Sequence, residues 1–391
     1  MTFYQKFFLV FFLTVASVMA TCLGPYVVII GKLFHTDISS LSKLMSFYLT
    51  GCLAGQFVFS KFSKKYNGLL SVKLGLMVGF FGLYLQVIAF HLNIFLLFLI
   101  GRFIAGLGLS AGLIIGFAII KDNIAPKTEK LYLSIIAMAF TLTIYLSILA
   151  SGYLSKILSI NTFFYILMAY ILFLMPLTFY LPNTKKNIKK INLKIKWNDF
   201  FNIKLINYSL VLSLTTLIAY LYAFYGPLIF VNKFGFSTKE FSKINLINMS
   251  GVFLGSFFYP KLSKYINEKV LINFILVMII LNMFYILKLG DSNYIGFIII
   301  FFITNIFSGL LYPASTYLAL GCGVCKTTTS TTMNIIKTSI PIIGFYFSSI
   351  LKIDEINKLA STIIIFTFCT VILMQYIFLL NTRFFNKKIS Q

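Results

Sequence analysis

Acidic side chains are scarce in this chain. Only 9 of its 391 residues are Asp or Glu, against 33 Lys and Arg, and charged residues together make up 11%. A soluble domain carries about 25%, so there is too little polar surface here to clothe a water-soluble fold. Histidine occurs twice, as His35 and His91, both near expected helix ends, and no metal cluster can be built from them. The five Cys form no framework. Cys22, Cys52 and Cys369 lie in apolar runs, and the C-x-x-C of Cys322 and Cys325 has neither a second pair nor a βαβ pattern beside it. No G-x-x-x-x-G-K-[ST] loop occurs, which leaves no phosphate cradle for ATP. No convergent His/Asp/Ser set suggests an enzyme, and no connection is long enough for a signalling domain. No cofactor is expected.

What is abundant is apolar: 59% of the residues are hydrophobic and 45 are Phe. A membrane-spanning helix needs about 20 mainly apolar residues. Twelve such runs are expected, over 7–30, 42–60, 69–90, 94–119, 131–153, 162–181, 206–231, 241–259, 270–288, 294–320, 329–351 and 359–380. The first run is too long for a signal-peptide core and reads as a retained helix. The fold class expected is all-α, a polytopic membrane protein of about 12 transmembrane helices.

The +24 net charge does not point to nucleic acid, because the positive residues follow the connections. With the N-terminus inside, 22 Lys and Arg fall on inner segments and 9 on outer ones. That bias places both termini in the cytoplasm, at an inner membrane. The longest connection, 182–205, carries seven Lys and separates an N-terminal half (1–181) from a C-terminal half (206–391). It is either a solvated linker or an amphipathic segment lying on the anionic inner leaflet.

The two halves repeat one another. Gly55-Gln-Phe-Val-Phe-Ser-Lys61-Phe-Ser-Lys64-Lys65-Tyr-Asn67 returns two hundred residues later as Gly255-Ser-Phe-Phe-Tyr-Pro-Lys261-Leu-Ser-Lys264-Tyr-Ile-Asn267. Gly24-Pro25 is matched by Gly226-Pro227, and Ser42-Lys43 by Ser242-Lys243. Arg102-Phe-Ile-Ala-Gly106-Leu107 is echoed by Asn305-Ile-Phe-Ser-Gly309-Leu310. A parallel repeat of six helices is one transporter plan.

These features resemble the major facilitator superfamily over essentially the whole chain. Within it the chain looks most like the bicyclomycin-resistance type of drug exporter. That resemblance rests on Tyr48-Leu-Thr-Gly51…Gly55-Gln56, on Gly101-Arg102-Phe103-Ile-Ala-Gly106-Leu-Gly108, and on Ile119-Ile-Lys121-Asp122. It implies two rocking six-helix halves and a gating loop at Gly55, Lys64, Lys65 and Asn67. The sequence departs from the superfamily's usual G-x-x-x-D-R-x-G-R-R. Ser60 replaces its first Gly, Lys64 its Asp, Asn67 its second Gly and Gly68 an Arg. Asn67 is compatible with a left-handed turn. Thr21 stands where the exporters carry an Asp in span one, and span five has Gly152 but no Pro.

All nine carboxylates fall in connections or at helix ends, so no acidic proton relay is visible at mid-membrane. Two cations lie deep, Arg102 in span four and Lys337 in span eleven, each roughly 12 Å from its boundary. A central charge costs ~2.5–3.5 kcal/mol to insert, so both should face protein or a wet cavity. Arg102, with Gly106, serves coupling or helix packing, or else attracts substrate. Lys337 lines a substrate cavity or snorkels. Asn334 shares its face. Ser17 and Thr21, Thr141 and Tyr145, and Thr216 and Tyr220 follow helical spacing. With Asn305 they are cavity candidates, or they hydrogen-bond between helices as Ser and Thr commonly do. Tyr222, Phe224 and Tyr225 form an aromatic wall or simply pack.

The function expected is secondary active transport of a small organic solute, an anion such as a siderophore or a drug-like compound. Alternating access would carry it outward, coupled to a proton or another ion. Uptake of a nutrient or metabolite by the same fold is the alternative. The partners expected are the solute and the bilayer, with no nucleic acid, and the chain acts as a monomer.

Overall fold

The computed structural model describes residues 3–123, 126–182, 202–322 and 326–389. All secondary structure among them is helical. The first crossing is α1 (Phe3–Thr21), a 3-10 turn at Gly24–Tyr26 and α2 (Val27–Leu33). The N-terminal half continues with α3 (Ile38–Lys65), α4 (Gly68–Leu92), α5 (Phe95–Asn123), α6 (Pro126–Ile157) and α7 (Ile160–Leu177), the last running into a 3-10 turn. The C-terminal half comprises α8 (Ile203–Asn232), α9 (Thr238–Leu262), α10 (Glu268–Leu289), α11 (Tyr294–Gly321), α12 (Lys326–Leu351) and α13 (Ile356–Ile389). Residues 183–201, most of the basic connection, lie outside the described residues.

Ten of the twelve crossings are long and apolar enough to span a membrane. The other two, α3 and α9, are as long but more polar, because they line the boundary between the halves. Gln56 and Ser60 on α3, and Ser242 on α9, are buried and bond across it. The first crossing is not one rod as expected. Pro25 lacks an N–H and fixes its own φ, and the helix breaks over Cys22–Tyr26 before resuming as α2.

The repeated basic stretch is also more helical than a turn. Helix α3 runs through Lys65 before the chain turns at Tyr66. Asn67 is extended (φ −157°) rather than left-handed, and its side chain caps α4 by accepting from the Leu69 N–H at 3.1 Å. Asn267 does the same for α10 through Lys269 N–H at 3.0 Å. What the repeat preserves at this position is a helix N-cap. At the other end of α3, Asp37 is the cap. Hydrogen bonds from Ser39 and Ser40 hold its carboxyl down at about 2, against 3.8 normally. The cap is therefore fully engaged above about pH 4 and is lost only as pH falls toward 2.

Missing Cβ atoms set the helix spacing within each half. A Cβ on Gly51 would stand 2.0 Å from the Phe103 carbonyl oxygen, and one on Gly55 2.0 Å from that of Leu107. From the other side, a Cβ on Gly106 would meet Tyr48 O at 2.1 Å. The second half repeats the seam. Gly251 faces Phe302 O (2.5 Å), Gly255 faces Ile306 O (2.1 Å), and Gly309 faces Val252 O (2.2 Å). Backbones thus touch directly where α3 crosses α5 and where α9 crosses α11, the small-xxx-small mode of packing in lipid.

Across the boundary, α3 packs on α12 and α6 on α9, a symmetric exchange of the equivalent helices. On the face where α1 begins, Ser60 Oγ meets Thr331 Oγ1 at 2.9 Å and Lys130 pairs with Glu268. On the opposite face Ser155 Oγ meets Thr238 Oγ1 at 3.1 Å, and Ser242 Oγ donates to Ile148 O. The halves therefore touch at both faces.

Gly55→Leu and Gly255→Leu should each abolish recovery of folded protein, because the atom they would displace is backbone. Gly321→Ala, which meets nothing within 4 Å, should be tolerated. Size-exclusion profiles of detergent-extracted variants check this, and a normal profile for either leucine variant would contradict the seam.

Candidate substrate cavity

Between the two sets of boundary contacts lies a cavity. Both halves line it: Ser17 from α1 and Ala137, Phe140 and Ile144 from α6 on one side, and residues of α8, α9, α11 and α12 on the other. Each helix contributes one stripe. On α11 it is Asn305, Ser308 and Tyr312, and on α8 Thr215, Thr216, Ala219 and Tyr220. Such spacings of three, four and seven put side chains on a common face.

Lys337 is the cation of this cavity. It is 7% exposed, and its Nζ donates to Tyr312 Oη at 3.0 Å. It lies over the rings of Tyr312 (4.9 Å) and Phe140 (5.1 Å). Phe140 belongs to the other half, so this cation–π contact crosses the cavity. No ion pair among the described residues involves Lys337. Its own backbone is fixed: Ser213 Oγ donates to the carbonyls of Ile336 and Lys337 at 3.0 and 2.9 Å. The next residue, Thr338, accepts from Gln56 Nε2 at 2.8 Å, a bond between the halves. Along α11 the wall carries polar side chains. Asn305 Nδ2 and Ser308 Oγ, both buried, have no partner among the described residues. Tyr220 Oη donates to Ser17 Oγ at 3.2 Å and bridges α8 to α1.

Of the residues expected from sequence, Lys337, Ser17, Thr216, Tyr220 and Asn305 come together here. Asn334 does not line the cavity, since its Nδ2 turns back to Ser330 O at 2.9 Å. Thr21 sits between α1 and α6, on Ser17 O (2.9 Å) and Ser147 Oγ (3.2 Å). Tyr145 is buried and is not among the residues lining the cavity, and its hydroxyl has no partner among the described residues. The side chains of Thr141 and Lys64 lie outside the described residues. The face of α6 that does line the cavity, Ala137–Phe140–Ile144, is one position back from the Thr141–Tyr145 stripe. At 3.6 residues per turn that is a rotation of about 100°. The α6 residues that line the cavity are apolar, so polarity does not mark them. Tyr222 and Tyr225 pack away from the cavity, Tyr222 against Phe301 and bonded to Asn248, and Tyr225 bonded to Ser348 at 2.7 Å.

Arg102 is separate from the cavity wall. It is 1% exposed, donates to Met19 O at 2.9 Å and to Leu44 O at 3.4 Å, and stacks over Tyr48 at 4.3 Å. One guanidinium thereby ties α5 to α1 and α3 without a carboxylate. Gly55 lies in the α3–α5 seam, while Lys65, which is exposed, lies over the neighbouring Tyr66 ring at 5.1 Å.

The Major Facilitator Superfamily profile matches residues 7–344. The chain belongs to the major facilitator superfamily. Solved structures of similar fold bear this out. The E. coli xylose transporter XylE, in a partially occluded inward-open state, aligns with a TM-score of 0.73 at 11% identity, covering 96% of this chain and 97% of that one. A bacterial homologue of the iron transporter ferroportin, outward-facing, gives 0.68 at 14% over 96% and 99%. A bacterial homologue of the lysosomal transporter Spinster, inward-facing, gives 0.65 at 15% over 96% and 96%. At these identities the likeness is one of fold. No curated protein matches the chain in sequence. As a member of this superfamily it is a multi-pass membrane transporter of small molecules, not an enzyme.

Replacing Arg102 with Leu should lower the thermal midpoint of the purified protein markedly, since the Met19 and Leu44 carbonyls lose a charged donor, worth about 1.5–3 kcal/mol. Arg102→Lys should recover only part of it. An unchanged midpoint for Arg102→Leu would contradict the tie.

Proposed function

We propose that this chain exports a small organic solute bearing a negative charge, by alternating access, across the cytoplasmic membrane with its lysine-rich face inside. The observation that carries the proposal is Lys337, a buried cation at a cavity wall with no counter-anion beside it. A lone buried ammonium is stabilised most by an anion. The aromatic and hydroxyl walls suit an amphipathic body, a drug-like compound or a secreted metabolite such as a carboxylate siderophore. The resemblance of the Tyr48–Gln56 and Gly101–Gly108 segments to bicyclomycin-type exporters favours the outward direction.

Uptake is the second reading. It is favoured by Thr21 and Lys64, which replace the acidic residues of the exporter and superfamily patterns, and by the likeness in fold to a D-xylose–proton symporter (TM-score 0.68, 13% identity, 94% and 97% covered). With no carboxylate expected at mid-membrane, the coupling ion would have to bind elsewhere or exchange with a counter-solute.

Two measurements test this. The metabolites of cells and medium are compared with and without the protein. Export predicts an anion that is retained in cells lacking it and restored to the medium by wild type but not by Lys337→Met. The reverse distribution means uptake, and no Lys337-dependent difference overturns the anionic cavity. Second, cysteines at Ser60 and Thr331, whose hydroxyls are 2.9 Å apart, should crosslink under oxidation and arrest transport until reduced. Unimpeded transport by the crosslinked protein would exclude opening at that face.

A further inference from the structure

Resting on that reading, we infer that the substrate is a hydroxylated monocarboxylate held at two points. Its carboxylate is seated on Lys337 and Tyr312, and its hydroxyl-bearing body lies along Asn305 and Ser308. The cavity supplies a single positive charge, so it balances one negative charge and no more. A second carboxylate would be buried unpaired, at a penalty of several kcal/mol. A neutral solute would leave the ammonium as it stands, with one hydroxyl and two ring faces. Charge matching thus selects a monoanion.

The second point of contact lies on α11. Ser308 is one helical turn, and Asn305 about two turns, from Tyr312, or roughly 6 and 10 Å along the axis at 1.5 Å per residue. Both side chains are buried, Ser308 at 5% and Asn305 at 1% exposure, and Asn305 Nδ2 and Ser308 Oγ have no partner among the described residues. An unsatisfied buried polar group is costly, and where others of this chain, such as Tyr145 Oη, lie off the cavity, these two belong to residues that line it. Two on the stripe that also carries Tyr312, all three at one cavity wall, define a place for hydroxyl groups. The α6 side chains that line the same cavity, Phe140 beside the Lys337–Tyr312 pole and Ile144, are apolar, and the carbon skeleton rests against them. A site built to hydrogen-bond a substrate rejects the analogue that lacks the hydroxyls, because its own groups then stay unpaired.

The test uses the full chain in sealed proteoliposomes with five labelled probes. Gluconate is the hydroxylated monoanion, butanesulfonate a monoanion without hydroxyls, succinate and citrate the di- and trianion, and glucose the neutral solute. Gluconate should enter fastest. Lys337→Met should reduce gluconate and butanesulfonate entry alike, by about 10- to 100-fold, the range for losing one charge-assisted hydrogen bond. Lys337→Arg should retain part of both. Asn305→Leu should lower gluconate entry by about tenfold while sparing butanesulfonate, a split that a merely unstable protein would not show. Preference for citrate, succinate or glucose, equal loss of both monoanions in Asn305→Leu, or no entry of any probe each overturns the assignment. If no probe enters while the cell-and-medium comparison still depends on Lys337, the hydroxylated-monocarboxylate class falls and the anion transporter stands. If that comparison also shows nothing, both fall.

Discussion

Direct backbone contact between helices is the constraint on which the rest of this molecule depends. In lipid no water is expelled when two helices meet, so association rests on close van der Waals fit. Glycines at 51, 55 and 106, and again at 251, 255 and 309, let carbonyl oxygens approach where any side chain would collide. Each half is thereby locked along an equivalent seam, α3 with α5 and α9 with α11, and the N-terminal half adds another between α4 and α5, where Gly75 and Gly108 face each other's backbone. The surfaces left over on α3 and α9 carry polar side chains that bond across the boundary, Gln56 and Ser60 in one case, Ser242 in the other. Glycine seams thus close each set of six crossings internally, while the contacts between the two sets run through side chains, Ser60 to Thr331, Gln56 to Thr338 and Lys130 to Glu268.

The fold was legible in the sequence because it is written in features that survive without side-chain detail. Apolar runs of about 20 residues mark the crossings. The recurrence of Gly55…Asn67 as Gly255…Asn267 marks the repeat. Local backbone was less legible. Gly24-Pro25 and Gly226-Pro227 look alike, yet the first breaks its helix and the second lies inside an unbroken α8. Asn67 was compatible with a left-handed turn and is instead an extended cap.

The cavity was legible where charge or polarity happened to coincide with the lining face. Lys337 and Asn305 stand out as polar groups in apolar runs, and both line it. Phe140, Ile144 and Tyr312 carry no such mark, since aromatic and aliphatic residues occupy every face of these helices. Asn334 and Thr21 show the converse. Their spacing is right, but a helix carbonyl four residues back takes up each side chain: Ser330 O for Asn334 and Ser17 O for Thr21. A hydroxyl or amide inside a membrane helix has its own backbone as a constant alternative partner, which spacing alone does not reveal.

The break in the first crossing also makes the two halves mechanically unlike. Helix α8 is a single strut of 30 residues, whereas α1 and α2 are joined through a short 3-10 turn at Gly24–Tyr26. That joint presses on α8, for a Cβ on Gly24 would lie 2.4 Å from Ala223 O. Helix α8 stays continuous through Pro227, while the first crossing is interrupted at one known point. The pseudo-twofold plan therefore yields an asymmetric machine, with its elbow in the N-terminal half, about two helical turns beyond Ser17 on the cavity wall.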